Sequence, residues 1–258
     1  MTQVASNLIH DFFHRTSSSA VEAFEKLDSN AAQNILNELP SEAAATVLRK
    51  LTSEHAANLL PKVRDLAATS TFIDTGIFAR MIGRLAPESR TLVLAQLPKQ
   101  DQTEIAALLQ YPENTAGALM ETRVSIFHPK DSVSQVIQQV RKVRYKKLTT
   151  VFVVDEEGRL LGRVPLHDVI GEEDETLLQD LVQESPRVHE MAPRDEVVEV
   201  AEKSKLPSLP VVDSQDVLVG VIRYEGLVEI VQQDALGDMQ KMVGVSKDER
   251  ALSKPAIL

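Results

Sequence analysis

At 258 residues, with 43% hydrophobic and 26% charged side chains, the chain is long enough for one or two domains that each bury a core. It has no cysteine, which excludes a disulfide framework and a thiolate metal site, and with no tryptophan and 4% aromatics it lacks a base-stacking platform for nucleic acid. The N-terminal "MTQVASNLIHDFFHR" is not the pattern of a signal peptide, and nowhere do about 18 apolar residues run together.

The first 110 residues repeat. "LPSEAAATVLRKL" (Leu39–Leu51), "LTSEHAANLLPKV" (Leu51–Val63), "LAPESRTLVLAQL" (Leu85–Leu97) and "LPKQDQTEIAALL" (Leu97–Leu109) each open on an apolar residue and a short polar turn. A helix-length stretch follows, with apolar residues three and four apart: Leu92, Val93 and Leu97 in the third copy, Ile105, Leu108 and Leu109 in the fourth. Proline in a first helical turn loses no hydrogen bond there. Ser41 before Glu42 and Ser53 before Glu54 read as a capping hydroxyl followed by an acid at a helix start. Helices this short cannot stand alone, so an all-α superhelix of stacked repeats is expected. His55 lies inside a repeat without a partner at ligand spacing and reads as a packing or surface histidine.

Residues 111–121, which contain "YPENTAGALM", form a polar joint whose glycine offers backbone freedom and whose Asn114 and Thr115 are placed to cap the turn. Beyond it the pattern becomes β-branched and duplicates itself. "VFVVDEEGRLLGRVPLHDVI" (Val151–Ile170) aligns with "LPVVDSQDVLVGVIRYEGLV" (Leu209–Val228) at a constant offset of 58. Asp155-Glu156-Glu157-Gly158 and Asp213-Ser214-Gln215-Asp216 read as hairpin turns. Upstream, Pro129 and Asp131 match Pro193 and Asp195 at an offset of 64, so the first copy carries six more residues around "VRYKKLT". Each unit reads strand, helix, strand, strand, helix, an α+β module in tandem.

Charge is uneven. Between Asp168 and Asp238 stand eighteen carboxylates and five bases, a net of −13; with −10 for the whole chain, the remainder carries +3. A field of that sign attracts cations and repels phosphate backbones. No P-loop, no HExxH and no nucleophile in a recognisable setting is present, so no catalytic residue is assigned.

The doubled unit resembles a tandem CBS-domain pair. Together with the repeats, the "YPENTAGALM" joint and the tail "GDMQKMVGVSKDERAL", the chain resembles the cytosolic part of the MgtE-type magnesium transporters. The resemblance implies a multi-domain chain: a helical-repeat N domain over 1–110, a hinge at 111–121, a tandem CBS pair over 122–236 and, at 237–258, a connecting segment toward a membrane pore domain that this chain does not contain. It implies a place on the cytoplasmic side of the inner or plasma membrane, a homodimer through the CBS units, and Mg2+ sites between the domains and near the connecting helix. Mg2+ takes hard oxygen ligands and keeps much of its water, so carboxylate pairs suffice to bridge it. The candidates are Glu225, Glu229, Asp234 and Asp238, Asp213 and Asp216 on the second hairpin, and Glu88, Asp101, Glu104 and Glu113 on the N-domain side. Glu225 and Glu229 share a helix face. CBS pairs that hold adenosine nucleotides carry a Gly-x-apolar-Ser/Thr-x-x-Asp pattern. Gly162 to Asp168 keeps the aspartate but has Pro165 after Val164 where the hydroxyl would stand, and the second copy loses both. ATP is therefore a second candidate ligand, at Val164, Pro165 and Asp168, with Arg141, Lys142, Arg144, Lys146 and Lys147 as the nearby basic cluster.

Overall fold

The computed structural model describes residues 21, 24–142, 149–228 and 230–231. The helical half contains α1 (Ser29–Glu38), α2 (Ser41–Lys50), α3 (Ser53–Leu59), α4 (Leu66–Ser70), α5 (Thr75–Gly83), α6 (Pro87–Ala95) and α7 (Lys99–Leu108). The four repeats become α2, α3, α6 and α7. Their caps differ from expectation. Pro40 and Thr52, not Ser41 and Ser53, are the capping residues, and Thr52 accepts the His55 N–H while its hydroxyl lies 2.8 Å from His55 Nδ1. Glu42 and Glu54 sit in first turns as expected. Val93, Leu97, Ile105 and Leu108 are buried, but Leu92 is 66% exposed. The helix at the centre is α5, outside the repeats. It is buried from Thr75 to Ile82, as an apolar-all-round helix must be.

A one-turn helix, α8 (Ala116–Leu119), leads into two matching units. The first holds β1 (Ile126–Phe127), α9 (Val133–Lys142), β2 (Thr150–Val154), β3 (Leu160–Pro165) and α10 (Leu166–Gly171). The second holds β4 (Val188–His189), α11 (Arg194–Ser204), β5 (Ser208–Val212), β6 (Leu218–Arg223) and helical residues at 224–228 and 230–231. In both, the first strand pairs parallel to the second and the second antiparallel to the third. The extra residues of the first copy fall largely at 143–148, outside the described residues.

The duplication extends to single hydrogen bonds. Asp155 Oδ1 accepts the Glu157 and Arg159 N–H groups, and Asp213 Oδ1 accepts those of Gln215 and Val217. The last turn residue is left-handed in each, Gly158 at φ 84° and Asp216 at φ 62°. The turns also meet: Leu160 N–H donates to Asp216 O at 2.9 Å and Leu218 N–H to Gly158 O at 3.0 Å. This exchange is the signature of a local two-fold axis. Between the sheets lie Phe152, Leu160, Val212 and Val221.

Each unit also lends the segment before it to the other. Gln183 exchanges two backbone bonds of 2.9 Å with Arg163 on β3, and Glu121 exchanges bonds of 2.7 and 2.9 Å with Val221 on β6. Gly162 and Gly220 make room. A Cβ on Gly162 would lie 2.3 Å from Gln183 O, and one on Gly220 2.7 Å from Met120 Sδ. The sheet edges are thereby covered.

The cores divide unexpectedly. The first unit has its own, around Val136, Val151 and Val164. The second shares one continuous core with the helical half: Leu48 and Met81 belong to the same cluster as Val211 and Ile222, with Ala116, Leu119 and Met120 of the joint between them.

Gly117 does not serve as a flexible point. Its φ is not in the left-handed region, and its missing Cβ is where the Tyr111 ring packs, 2.4 Å away. Thr115 makes no cap to α8; its hydroxyl donates back to Pro112 O at 2.8 Å. Gly117→Ala is expected to destabilise the chain by about 1–3 kcal/mol through overpacking. Gly171→Ala, where a Cβ meets nothing within 4 Å, should leave stability unchanged or raise it. Urea midpoints of the two variants check this, and equal midpoints would contradict it.

Candidate functional site

The joint is a buried strap. Thr115 through Glu121 are all buried, while Pro112, Glu113 and Asn114 are exposed. Backbone bonds zip it to the second unit: Ala116 N–H to Ala192 O at 2.9 Å, Gly117 N–H to Glu190 O at 2.7 Å, and Arg194 N–H to Asn114 O at 2.8 Å. Its other side meets α5, where a Cβ on Gly76 would stand 2.4 Å from Met120 O. The Glu121 carboxylate, 2% exposed, accepts the Thr75 N–H at 3.0 Å, the Thr75 hydroxyl at 2.9 Å and the Arg123 N–H at 3.1 Å. A buried carboxylate is tolerable only when hydrogen-bonded in this way.

Ion pairs flank the strap. Asp74, which precedes α5, pairs with Arg223 at the end of β6, both about one-fifth exposed. Arg123 pairs with Asp101 at 2.7 Å and Glu104 at 2.8 Å on α7, and Thr122 donates to Glu104 as well. Burial alone would lower the Arg123 pKa; Glu104, Asp101 and Glu121 outweigh it and raise the value. The Tyr111 hydroxyl donates to Glu190 Oε2 at 2.7 Å. Burial first, then Glu190 and the charge of Asp213, push the phenol up to about 12.

The sequence candidates fall into three groups. Glu229, Asp234 and Asp238 lie outside the described residues. Asp101, Glu104, Glu113 and Asp216 face cations: Arg123 for the first two, Arg84 for Glu113, and Arg187 at 3.5 Å for Asp216. Glu88 is exposed in the first turn of α6, Glu225 is exposed at the start of the last helix, and Asp213 spends Oδ1 on its turn. Among the described residues no three His, Asp or Glu side chains converge to hold a metal.

For the nucleotide candidates, Asp168 Oδ2 accepts from Gln183 Nε2 at 3.0 Å, and Oδ1 lies 3.0 Å from His167 Nε2. Val164 is fully buried in the first unit's core, so its side chain offers nothing to a ligand, and Pro165 precedes α10. Of the basic cluster, Arg144, Lys146 and Lys147 lie outside the described residues, as does the Lys142 side chain.

Sequence reasoning missed Asp74, Thr75, Tyr111, Glu121, Arg123, Glu190 and Arg223. One local signal existed: Asp-Thr-Gly before "IFARMI" marks a helix start, and it lay between the repeats.

The architecture is a helical-repeat domain docked through a buried strap on a tandem CBS pair. Residues 15–114 match the family described as the MgtE intracellular N domain, and 116–175 and 178–233 match the CBS domain. The chain thus combines an MgtE N domain with tandem CBS domains and is homologous to the MgtE magnesium transporters. The magnesium transporter MgtE of Enterococcus faecalis is 28% identical over 153 residues, 58% of this chain and 34% of that protein. That of Thermus thermophilus is 26% identical over 163 residues, 61% of this chain and 36% of that protein. The aligned part amounts to about a third of the length of these curated relatives. Among solved structures, the cytosolic domain of the Mg2+ channel MgtE in complex with ATP superposes with a TM-score of 0.77 at 22% identity, covering 87% of this chain and 94% of that one. The soluble part of a magnesium transporter gives 0.64 at 20%, covering 90% and 99%. At these identities the structures speak to the fold alone.

Because the folded-state pKa of Tyr111 lies above the ordinary 10.0, its contribution to stability is complete below pH 10 and is lost as pH rises toward about 12. Ultraviolet titration should show one of the three tyrosines ionising late, and Tyr111→Phe should remove that phase. Ionisation of all three near pH 10 would contradict the half-buried Tyr111–Glu190 contact.

Proposed function

We propose that this chain is a Mg2+-sensing cytosolic regulatory region of a magnesium transporter, and that Mg2+ holds the N domain docked on the second CBS unit. The observation that carries this reading is the shared core and buried strap, set against the segment of net charge −13. Undocking would expose that core; the carboxylates of the acidic segment repel one another, and a divalent cation that bridges them offsets that repulsion. The proposed ligands are pairs drawn from Glu225, Glu229, Asp234 and Asp238, with Asp213 and Asp216 on the second hairpin. Of the N-domain candidates, Asp101, Glu104 and Glu113 would first have to leave their arginines, so Glu88 is the readiest. In this reading a membrane domain beyond these 258 residues supplies the pore, and the region acts by binding, without catalysis. Two copies pair through their CBS units, as duplicated modules with closed symmetry do. Among the described residues no helix is long and apolar enough to cross a membrane. ATP remains the second ligand, through Asp168 of the first unit, since a protein of this fold is a complex with ATP.

One millimolar site at tenfold excess shifts a docked–undocked balance by only about 1.4 kcal/mol. Several sites together reach the roughly 5.5 kcal/mol that swings a population from 1:99 to 99:1. The response is therefore steep. Small-angle scattering and protease cleavage at the exposed 112–114 segment should both show compaction and protection between zero and millimolar Mg2+ at matched ionic strength. Glu229→Ala with Asp238→Ala should move the midpoint to higher Mg2+. An unchanged radius and cleavage rate would overturn the reading, because ionic strength alone does not distinguish Mg2+ from Na+.

A further inference from the structure

A cavity of about 190 Å3 lies beside the strap, where the end of α5 meets α6, α7 and Tyr111. Its wall brings together three guanidinium groups, Arg80, Arg84 and Arg90, and one carboxylate, Glu113; Leu108 contributes an apolar side. This is a concentration of positive charge in a chain whose net charge is −10. Arg90 is held in place by its own hydrogen bonds, Nη2 donating to Gly83 O at 2.8 Å and to Leu85 O at 3.2 Å. Those bonds fix one end of the guanidinium against the carbonyls at and just after the end of α5. Arg84 is paired with Glu113 at half exposure, 47% and 52%, so that contact is open to exchange.

We propose that this cavity binds a tetrahedral oxyanion of phosphate size between Arg84 and Arg90. The guanidinium fork matches phosphate oxygens two at a time, and Arg84 and Arg90 both stand in the cavity wall, Arg90 fixed by its two backbone bonds. The volume is below the roughly 300 Å3 at which pockets begin to hold drug-sized molecules, so a whole nucleotide does not enter, although a terminal phosphate does. The anion competes with Glu113 for Arg84. Glu113 belongs to the exposed entry of the strap, so occupancy releases one contact of that segment from the N domain. Glu113 is the one side chain the cavity shares with the Mg2+ candidates, and titration without Mg2+ tests the anion site separately.

Calorimetric titration of the full chain with inorganic phosphate and with ATP, in Mg2+-free buffer at constant ionic strength made up with chloride, tests it. Phosphate should bind saturably, and Arg90→Gln should weaken it by about tenfold or more. Glu113→Gln removes the competitor and should tighten binding, a gain that misfolding cannot produce. Arg90-dependent binding of ATP assigns a terminal phosphate as the physiological source, and Arg90-dependent binding of phosphate alone assigns the free anion. If neither ligand shows binding that depends on Arg90, or if Glu113→Gln leaves phosphate affinity unchanged, the proposal is overturned.

Discussion

The backbone around Met120 passes between two glycines, Gly76 of the helical half and Gly220 of the second CBS unit, and much else depends on that passage. A side chain at either glycine would overlap the strap, at 2.4 Å from Met120 O in one case and 2.7 Å from Met120 Sδ in the other. Because both are glycine, the strap enters deeply enough for Glu121 to reach Val221 on one side and Thr75 on the other. The buried carboxylate is thus shared between domains. Donors to it come from Thr75 of α5 and from Arg123 just after the strap, so drawing the domains apart strips it of partners in a low-dielectric place. Side chains that flank it, Leu119, Ile77 and Ile222, close the same core.

Electrostatics around this passage run against the chain's overall sign. An acidic protein places Arg123 and Arg223 beside the strap, and each answers carboxylates of the helical half. The docked state is therefore not a contact of bare carboxylate surfaces. Partial neutralisation at the strap coexists with the unbalanced acidic segment further along. A cation sensor placed there acts on a contact whose geometry is already set by packing, and need supply only the electrostatic part of the balance.

How much of this was legible follows from range. The repeats, the two hairpins and the order of elements in each unit could be read because turns, helix starts and strand alternation are decided within a dozen residues. Even there the capping residue slipped by one, since Pro40 and Thr52 already have extended backbone and Ser41 and Ser53 are helical. At the joint, a glycine beside polar residues reads as backbone freedom. Gly117 instead admits the Tyr111 ring, a contact fixed by the fold. Glu121, Asp74 and Arg223 were invisible for the same reason: their partners lie 46 and 149 residues away. Carboxylate counting found the acidic segment but could not tell Asp101 and Glu104, answered by Arg123, from Asp213, whose Oδ1 closes a turn.

The central claim is that in the docked state the joint is part of a shared core. Native-state hydrogen exchange of the Ala116, Gly117 and Glu121 amides tests it most directly, because these donate to Ala192, Glu190 and Val221 in the second unit. The account predicts that they exchange as slowly as the Val221 amide and are released only when the shared core opens. Exchange of all three near the unprotected rate, with Val221 still protected, would contradict it.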